Sequence, residues 1–264
     1  MNKAIQIMGV LNITDNSFYD GGKFNNLEKS IQHAKKIIEE GADIIDIGAE
    51  SSKPGSESVP SAVQVKKLEP VVDAIREISD IPISIDTRCS NVINKLVKYK
   101  INIVNDISSL EDTELLDIIK SNNLSVSLMH MKGSPKNMQD NPNYENIIDE
   151  IFSYLRSKAK NCIDNGIDKK KLIIDPGFGF GKTLEHNYII LNNLKKFSQL
   201  GYQVLTGISR KSMIGNVINK PPEERLYGSL AATVIAIKNL STILRVHDIR
   251  ETKMLLNFKN LILD

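Results

Sequence analysis

Short apolar runs alternate along this chain with longer stretches of helical periodicity. Each run ends in a polar residue and then glycine or other turn residues, a pattern typical of strands buried on both faces of a parallel sheet. In the clearest example, Leu172–Asp175 leads through a proline and three glycines into a helical pattern. We predict strands at Ala4–Val10, Asp43–Gly48, Ile83–Asp86, Ile101–Asn105, Ser125–His130, Leu172–Asp175, Gln203–Thr206 and Thr242–Val246.

The intervening stretches have apolar residues at helical spacing, so we predict a helix after each strand. In the longest of these stretches, Ile148, Ile151, Leu155, Ala159 and Cys162 lie on one face. Ser90 and Asp112 stand where N-cap residues of the third and fourth helices are expected. Pro70 either kinks the second helix or begins it. Two later helices are predicted over Leu184–Phe197 and Glu223–Lys238.

The pattern amounts to eight strand–helix units without a linker or a change in composition. Such alternation requires parallel strands with helices outside them. Eight units favour a closed (β/α)8 TIM barrel over an open doubly wound sheet, and no GxGxxG motif follows the first strand. We therefore predict one barrel domain over residues 1–264.

Composition narrows the classes of protein that remain. The chain is 41% hydrophobic and 25% charged, with a formal net charge of +2. This charge is too small to indicate binding to nucleic acid or to a membrane surface. No apolar run is long enough to span a membrane, and the two cysteines are isolated. We expect a cytoplasmic protein.

Polar residues follow every predicted strand, where (β/α)8 barrels carry their chemistry. Asp46 is one such strand end. Three others, Asp86, Asn105 and Asp175, offer two carboxylates and an amide, which suit the donor–acceptor edge of an aminopyrimidine-like heterocycle. Each of these residues is alternatively a loop cap, but the three together favour a heterocycle pocket. His130, also a strand end, is as compatible with packing as with function.

A second set of residues indicates an anion site. Lys211, Arg245 and His247 follow the seventh and eighth predicted strands, where barrels often bind phosphate beside a helix N-terminus. Asn12 is expected across the mouth, within reach of the same anion or of a magnesium ion on it. Arg210, in the same loop, is alternatively a surface ion-pair residue. The aromatic residue Phe180 lies in the glycine loop, where it stacks on a ligand ring or fills the core.

These segments together resemble the dihydropteroate synthase family. The matching motifs span nearly the whole chain in family order. They are Met8–Thr14 with Ser17-Phe18, Glu50–Gly55, Ile85–Thr87, Asn105–Ile107, Leu128–Met131, Asp175–Lys182, Ser209–Ser212 and Arg245–Asp248.

The resemblance implies condensation of 6-hydroxymethyl-7,8-dihydropterin pyrophosphate with 4-aminobenzoate. It implies that Asp86, Asn105 and Asp175 hold the pterin edge and that Lys211 contacts the pterin near the second substrate. It also implies that Asn12, Arg245 and His247 hold the pyrophosphate with Mg2+. The residues implied for the aminobenzoate site are Ser52, Pro54 and Phe180, with Ser209 nearby. A homodimer formed through outer helices is implied as well.

The sequence departs from the family pattern in two loops. Asp15-Asn16 replaces the usual Pro-Asp, and Ser52-Lys53 replaces the usual Thr-Arg. A lysine keeps the charge but lacks the planar fork of arginine. Because both loops are thought to close over the aminobenzoate, its affinity and the response to sulfonamides depend on these changes.

Three other functions fit a barrel of this kind. One is a non-catalytic pterin-binding barrel, which the loop changes slightly favour. Another is an aldolase in which Lys211 forms a Schiff base. The third is a pterin-dependent methyltransferase, which would not need the anion site.

Overall fold

The protein is described by a computed structural model that covers residues 4–13 and 23–259. Its eight strands lie close to the predicted ones, with bounds that differ by at most two residues. They are β1 Gln6–Asn12, β2 Ile44–Gly48, β3 Ile83–Asp86, β4 Ile103–Asp106, β5 Ser125–Met129, β6 Leu172–Asp175, β7 Gln203–Thr206 and β8 Ile243–Val246.

Helices follow the strands. They are α1 Lys23–Glu39, α2 Ser61–Ile78, α3 Ser90–Leu96, α4 Glu114–Ser121, α5 Ile147–Asp164, α6 Leu184–Asn192, α7 Leu194–Ser198, α8 Ser212–Ile218, α9 Leu226–Lys238 and α10 Ile249–Lys259. None of the helices within the described ranges combines the length and apolarity needed to cross a bilayer.

The strands close into a parallel barrel in the order of the sequence, and β8 pairs with β1. The predicted (β/α)8 fold is therefore confirmed. All of β2 and β6 is buried, as expected for strands that carry helices on one side and the barrel interior on the other.

The barrel interior has an apolar floor and a polar mouth. Its floor is one cluster formed by Met8, Ile44, Ile103, Ile173, Leu205 and Ile243. Side chains two residues apart on a strand point to the same face. The next inward positions on four of these strands are therefore polar and lie nearer the mouth. They are Asp46, Asn105, Asp175 and Arg245.

Several predicted helix ends were wrong. Ser90 begins α3 instead of capping it, and the Asp112 carboxylate accepts the backbone N–H of Ser90 (2.8 Å) and that of Glu114 (3.2 Å). One carboxylate thus serves the first residues of two helices. The helix predicted over Leu184–Phe197 is divided at Asn193 into α6 and α7. Pro70 lies inside α2 and does not begin it.

Candidate active site

The three residues predicted to hold a heterocycle lie on one rim of the barrel. Asp86 pairs in register with Asn105 across β3 and β4, and Asp175 ends β6 on the same rim. Asn105 and Asp175 are 5% and 7% exposed. An amide and two carboxylates therefore face the barrel mouth from β3, β4 and β6, as the strand-end pattern predicts.

Arg245 joins this set to the predicted anion site. Its Nη2 donates to Asp86 Oδ2 at 2.7 Å, and its Nε donates to Asp46 Oδ2 at 2.6 Å. The same Asp46 oxygen accepts from Asn105 Nδ2 at 3.2 Å. The two sites that the sequence indicated separately are thus one connected network, with Asp46 at its centre.

Asp46 was missed as a functional residue, although the sequence carries a signal for it. It is fully buried in the middle of β2, where a charged residue needs partners. The segment Ile44-Ile45-Asp46 has the same spacing as Ile103-Val104-Asn105 and Ile173-Ile174-Asp175. An apolar floor residue is followed two positions later by a polar mouth residue in each case.

Burial raises the proton affinity of the acids at the mouth. It raises the pKa of Asp86 to about 7, because the attraction of Arg245 only partly offsets the loss of water and Asp46 repels a second negative charge. Burial likewise raises the pKa of Asp175, against the opposing charge of Lys211 and a hydrogen bond from the Gly177 N–H at 2.7 Å. The pKa of each carboxyl therefore depends on the charges that surround it.

Lys211 lies beside these acids and against the glycine loop. Its ammonium lies 4.6 Å from the centroid of the Phe180 ring and donates to the Phe178 carbonyl. Burial lowers the pKa of Lys211 to about 8, and the nearby Asp175 limits that decrease. Lys211, predicted for the anion site, and Asp175, predicted for the heterocycle site, thus lie at the same mouth of the barrel.

The glycine loop, residues 177–181, is held from several sides by side chains. Gly177 has a φ of 73°, and a Cβ there would stand 1.9 Å from the His130 carbonyl oxygen, so the loop lies directly on the end of β5. Each of the next four carbonyls accepts a hydrogen bond from a side chain. The four donors, in order, are Lys211, Gln139, Lys182 and Tyr144.

Lys182 and His130 form a buried pair below this loop that was not assigned a role from the sequence. Lys182 Nζ contacts His130 Nδ1 at 3.0 Å and the carbonyls of His130 and Phe180 at 3.2 and 2.8 Å. Burial and the adjacent Lys182 lower the pKa of His130 to about 3. His130 therefore packs as a neutral ring in hydrogen-bond contact with the Lys182 amine.

His247 and Ser209 lie together on the far side of Arg245. Ser209 Oγ lies 3.1 Å from His247 Nδ1 and accepts the backbone N–H of His247 at 3.2 Å. Although part of His247 is open to solvent, the packing around its ring and the charge of Arg245 lower its pKa to about 4. Ser209 thus orients the His247 ring beside Arg245.

Arg210 is engaged in an ion pair. Its Nε donates to Asp248 Oδ2 at 3.0 Å, and its Nη2 bonds the other carboxylate oxygen. The alternative that this arginine makes an ion pair is therefore confirmed.

The loop after β2 carries Ser52 and Pro54, of which Ser52 is partly buried and Pro54 is exposed. Glu50 anchors the base of this loop through Arg88 (2.8 Å) and Gln64 (2.9 Å). The residues predicted in the first loop, including Asp15-Asn16 and Ser17-Phe18, lie outside the described ranges.

Asn12 ends β1 at the mouth, with its side chain exposed. Its amide oxygen is a hard donor of the kind that Mg2+ accepts, and protein-bound Mg2+ commonly takes only one or two protein ligands together with substrate phosphates. Among residues 4–13 and 23–259, no three His, Cys, Asp or Glu side chains form a metal-binding group. The donors present thus fit a metal carried on a phosphorylated substrate.

A closed (β/α)8 barrel with buried acids, an amide and two cations at its C-terminal rim is typical of a barrel enzyme, and these groups suit a polar ring beside an anion. Comparisons with known proteins narrow this class. A family described as "Pterin binding enzyme" matches residues 8–247. The dihydropteroate synthase of Haemophilus influenzae is 43% identical over 251 residues, which cover 95% of this chain and 91% of that protein. The Escherichia coli K12 enzyme of the same name is 44% identical, over 93% and 87%.

Solved structures agree. A Yersinia pestis dihydropteroate synthase with a sulfonamide drug complex superposes with a TM-score of 0.92 at 40% identity, covering 98% of this chain and 94% of that one. A Xanthomonas albilineans dihydropteroate synthase in complex with 7,8-dihydropteroate has a TM-score of 0.89 at 33% identity, with 99% and 95% coverage. The chain belongs to the dihydropteroate synthase family of pterin-binding enzymes, which are transferases. The family resemblance seen in the sequence is confirmed, and the comparisons favour it over the aldolase and methyltransferase alternatives.

Proposed function

We propose that the barrel mouth joins 6-hydroxymethyl-7,8-dihydropterin pyrophosphate to 4-aminobenzoate, giving 7,8-dihydropteroate and pyrophosphate. The observation that carries the proposal is the single buried rim on which Asp86, Asn105 and Asp175 meet Lys211 and Arg245. A flat nitrogen ring needs the acids and the amide, and its leaving diphosphate needs the cations.

The pterin ring is held by the three strand-end residues. A carboxylate of Asp86 or Asp175 accepts an amino–N–H fork, and Asn105 both donates and accepts. Lys211 borders the ring from the glycine loop. When the carbon–oxygen bond to pyrophosphate breaks, positive charge develops on the pterin methylene and the ring. Buried carboxylates aimed at that charge stabilise it more than water would.

The departing pyrophosphate is held by Arg245, His247 and Asn12. Arg245 supplies positive charge, and the His247 ring supplies an N–H donor. Asn12 would hold Mg2+, which would supply further charge neutralisation of the pyrophosphate. None of these groups needs to transfer a proton for pyrophosphate to leave.

The second substrate attacks the same methylene carbon. An aromatic amine is uncharged at neutral pH and already nucleophilic, so positioning suffices and no general base is needed to activate it. The proton that the nitrogen loses once the C–N bond has formed passes to solvent. Ser52, Pro54, Phe180 and Ser209 form its site in this proposal. Phe180 is half buried beside Lys211, where its ring is available for stacking on the aminobenzoate.

A turnover assay with both substrates tests the proposal, with pyrophosphate release measured in the presence and absence of Mg2+. We expect release to depend on both substrates and on Mg2+. Asp86→Ala and Lys211→Ala should each lose ~10²-fold or more in turnover, as with removal of one preorganised stabilising group. Lys66→Ala, at an exposed position of α2, is the matched control.

Near-normal turnover in both site variants would contradict these roles. Pterin binding without pyrophosphate release would instead identify a non-catalytic pterin-binding barrel. The two results are distinguished by measuring binding and release on the same preparation.

We also propose that the protein acts as a cytoplasmic homodimer. Exposed apolar side chains on α8 and α9, namely Val217, Ile218, Tyr227, Val234 and Ile235, support an interface there. The two helices already pack on each other, so a second copy would cover one continuous face.

A further inference from the structure

Asp46 occupies an unusual position for a carboxylate. It lies in the middle of a five-residue strand that is buried throughout and is itself 0% exposed. One of its oxygens, Oδ2, accepts from both Arg245 Nε and Asn105 Nδ2. The other, Oδ1, is buried and has no hydrogen-bond partner within the described ranges. Burying an ionised carboxylate costs free energy, so we expect Asp46 to have a role that compensates for this cost.

Arg245 divides its guanidinium between two acids. Nε binds Asp46 and Nη2 binds Asp86. In the proposed function, Asp86 is an acceptor for the amino edge of the pterin. The oxygen that the heterocycle needs is therefore already occupied by Arg245, so ligand and arginine compete for it.

The outcome of this competition depends on what else holds Arg245. If Asp86 were its only partner, a ligand that took Asp86 would leave a largely buried guanidinium unpaired, which is strongly unfavourable. Asp46 prevents this, because its bond to Arg245 Nε does not involve Asp86 and remains when a ligand binds Asp86. It also fixes the Asn105 amide, whose Nδ2 is committed to Asp46, so that the amide orientation is set before a ligand arrives.

We propose, on the basis of the proposed function, that Asp46 is a positioning residue. It holds Arg245 and Asn105 in place and lets Arg245 release Asp86 to the heterocycle without leaving the site. Asp46 itself does not touch the substrate. The pterin edge and the anion site are thereby coupled through one buried carboxylate oxygen.

Asp46→Asn tests this because it keeps the shape of the side chain and removes its charge. Arg245 should then pair more strongly with Asp86, and a pterin should compete less well. We expect the dissociation constant of 6-hydroxymethyl-7,8-dihydropterin, measured by titration of the intact protein, to increase tenfold or more at neutral pH. Ser84→Ala is the control, because Ser84 pairs in register with Asp46 and its hydroxyl is also buried without a partner. It should bind like the wild-type protein.

The pH dependence of binding separates positioning from a general structural defect. Arg245, Asp46, Glu50 and Asp106 act on Asp86, and of these the three acids favour its protonated form. The Lys211 ammonium also interacts with Asp86 and favours its ionised form. Removing the charge of Asp46 and strengthening the Arg245 contact both favour the ionised form. The acid limb of pterin binding, which is the pH range in which pterin affinity falls on acidification, should therefore move to lower pH in Asp46→Asn. A merely destabilised protein would weaken binding without moving that limb.

A second pair of variants keeps the test valid if Asp46→Asn folds poorly. Arg245→Met leaves Asp46 as an unpaired buried charge, so it should lower the thermal midpoint sharply. Adding Asp46→Asn should recover most of that loss, whereas independent sites would give additive losses. Additive losses, or wild-type pterin affinity with an unmoved acid limb in Asp46→Asn, would overturn the proposal. Failure of the proposed function is recognised separately, as absent pyrophosphate release from the wild-type protein, and affects none of these binding and stability measurements.

Discussion

Asp86 shows how opposing electrostatic influences determine the state of one side chain. Burial favours its neutral form, Arg245 favours its ionised form, and the other acids at the mouth favour the neutral form again. The balance raises its pKa to about 7. A carboxyl that titrates near neutrality responds to small changes of pH or of neighbouring charge.

Pterin binding should therefore weaken on acidification below about pH 7. The ionised Asp86 accepts the amino edge, and its population falls up to about tenfold for each pH unit below the pKa. Acid unfolding through this group does not explain such a loss. Because its folded pKa is raised above the unfolded value, its contribution to stability is present at low pH and is lost as pH rises through about 7. Titration of a non-phosphorylated pterin between pH 5.5 and 7.5 measures the effect, and Asp86→Asn should abolish the slope. An unchanged affinity across this range would contradict the assignment.

At the residue scale, the sequence located the strand-end residues but not their partners. Asp86, Asn105 and Asp175 could be placed because the end of each strand in a parallel barrel faces the same mouth. The links from Arg245 to Asp46 and from Lys182 to His130 join residues 199 and 52 positions apart. Such links follow from barrel closure and register, which no local pattern determines. The two-residue spacing from the floor isoleucines does, however, identify Asp46 as inward-facing.

At the scale of elements, the glycine loop is the part of the site with the most elaborate support. Its glycines allow the backbone to lie on the end of β5, and side chains from other loops bind its carbonyls. These bonds hold Phe180 in the loop that directly follows Asp175 and Pro176. Lys182 also contacts the ring nitrogen and the carbonyl of His130, the residue that follows β5.

Lys182→Met should loosen this loop. The substitution keeps an unbranched apolar stem but removes the donor to the Phe180 and His130 carbonyls, and each unsatisfied buried acceptor costs about 1–3 kcal/mol. We expect a lower thermal midpoint, and an increased KM for 4-aminobenzoate that exceeds the change in pterin affinity, because Phe180 loses its support. Lys170→Met, at an exposed lysine, is the control. Unchanged stability and KM would show that the loop is held without Lys182.

The starts of α3 and α4 provide a direct comparison between a local pattern and the folded structure. The local pattern predicted that Ser90 caps α3, but the Asp112 carboxylate bonds the first N–H of both helices. A pattern read along one segment cannot identify a cap supplied by the next strand–helix connection. The division of the predicted helix at Asn193 likewise could not be foreseen, because apolar residues continue on both sides of it.

Asp112→Ala should therefore destabilise the protein more than Ser90→Ala. Loss of one helix-capping side chain costs about 0.5–2 kcal/mol, and Asp112 serves two helix starts. The Ser90 side chain donates its hydroxyl to the Glu114 carboxylate at 3.2 Å and bonds no backbone N–H of α3. Denaturant unfolding of both variants measures the difference. A larger loss for Ser90→Ala would favour the cap predicted from the sequence.

At the scale of the whole molecule, apolar side chains are distributed between the barrel core and the outer helices. Most buried apolar residues lie between strands and helices, and a small cluster forms the barrel floor. Near the chain end, Leu255 and Leu256 pack on the main core, whereas Phe258 is 65% exposed. Leu261 and Ile262 lie outside the described ranges. The main exposed apolar face with support from two packed helices is that of α8 and α9.

The proposed dimer should depend on this face and not on α10. On α8 and α9, Val217 is 60% exposed and Tyr227 is 82% exposed. The double variant Val217→Asp with Tyr227→Asp places two like charges on the proposed interface and, through symmetry, opposes them to two more in the partner. We expect light scattering to give twice the chain mass for the wild-type protein and the single chain mass for this variant. Met254→Asp, at a similarly exposed apolar position of α10, should remain dimeric. A wild-type protein with the mass of one chain would contradict the homodimer, and dissociation only in the Met254 variant would place the interface on α10.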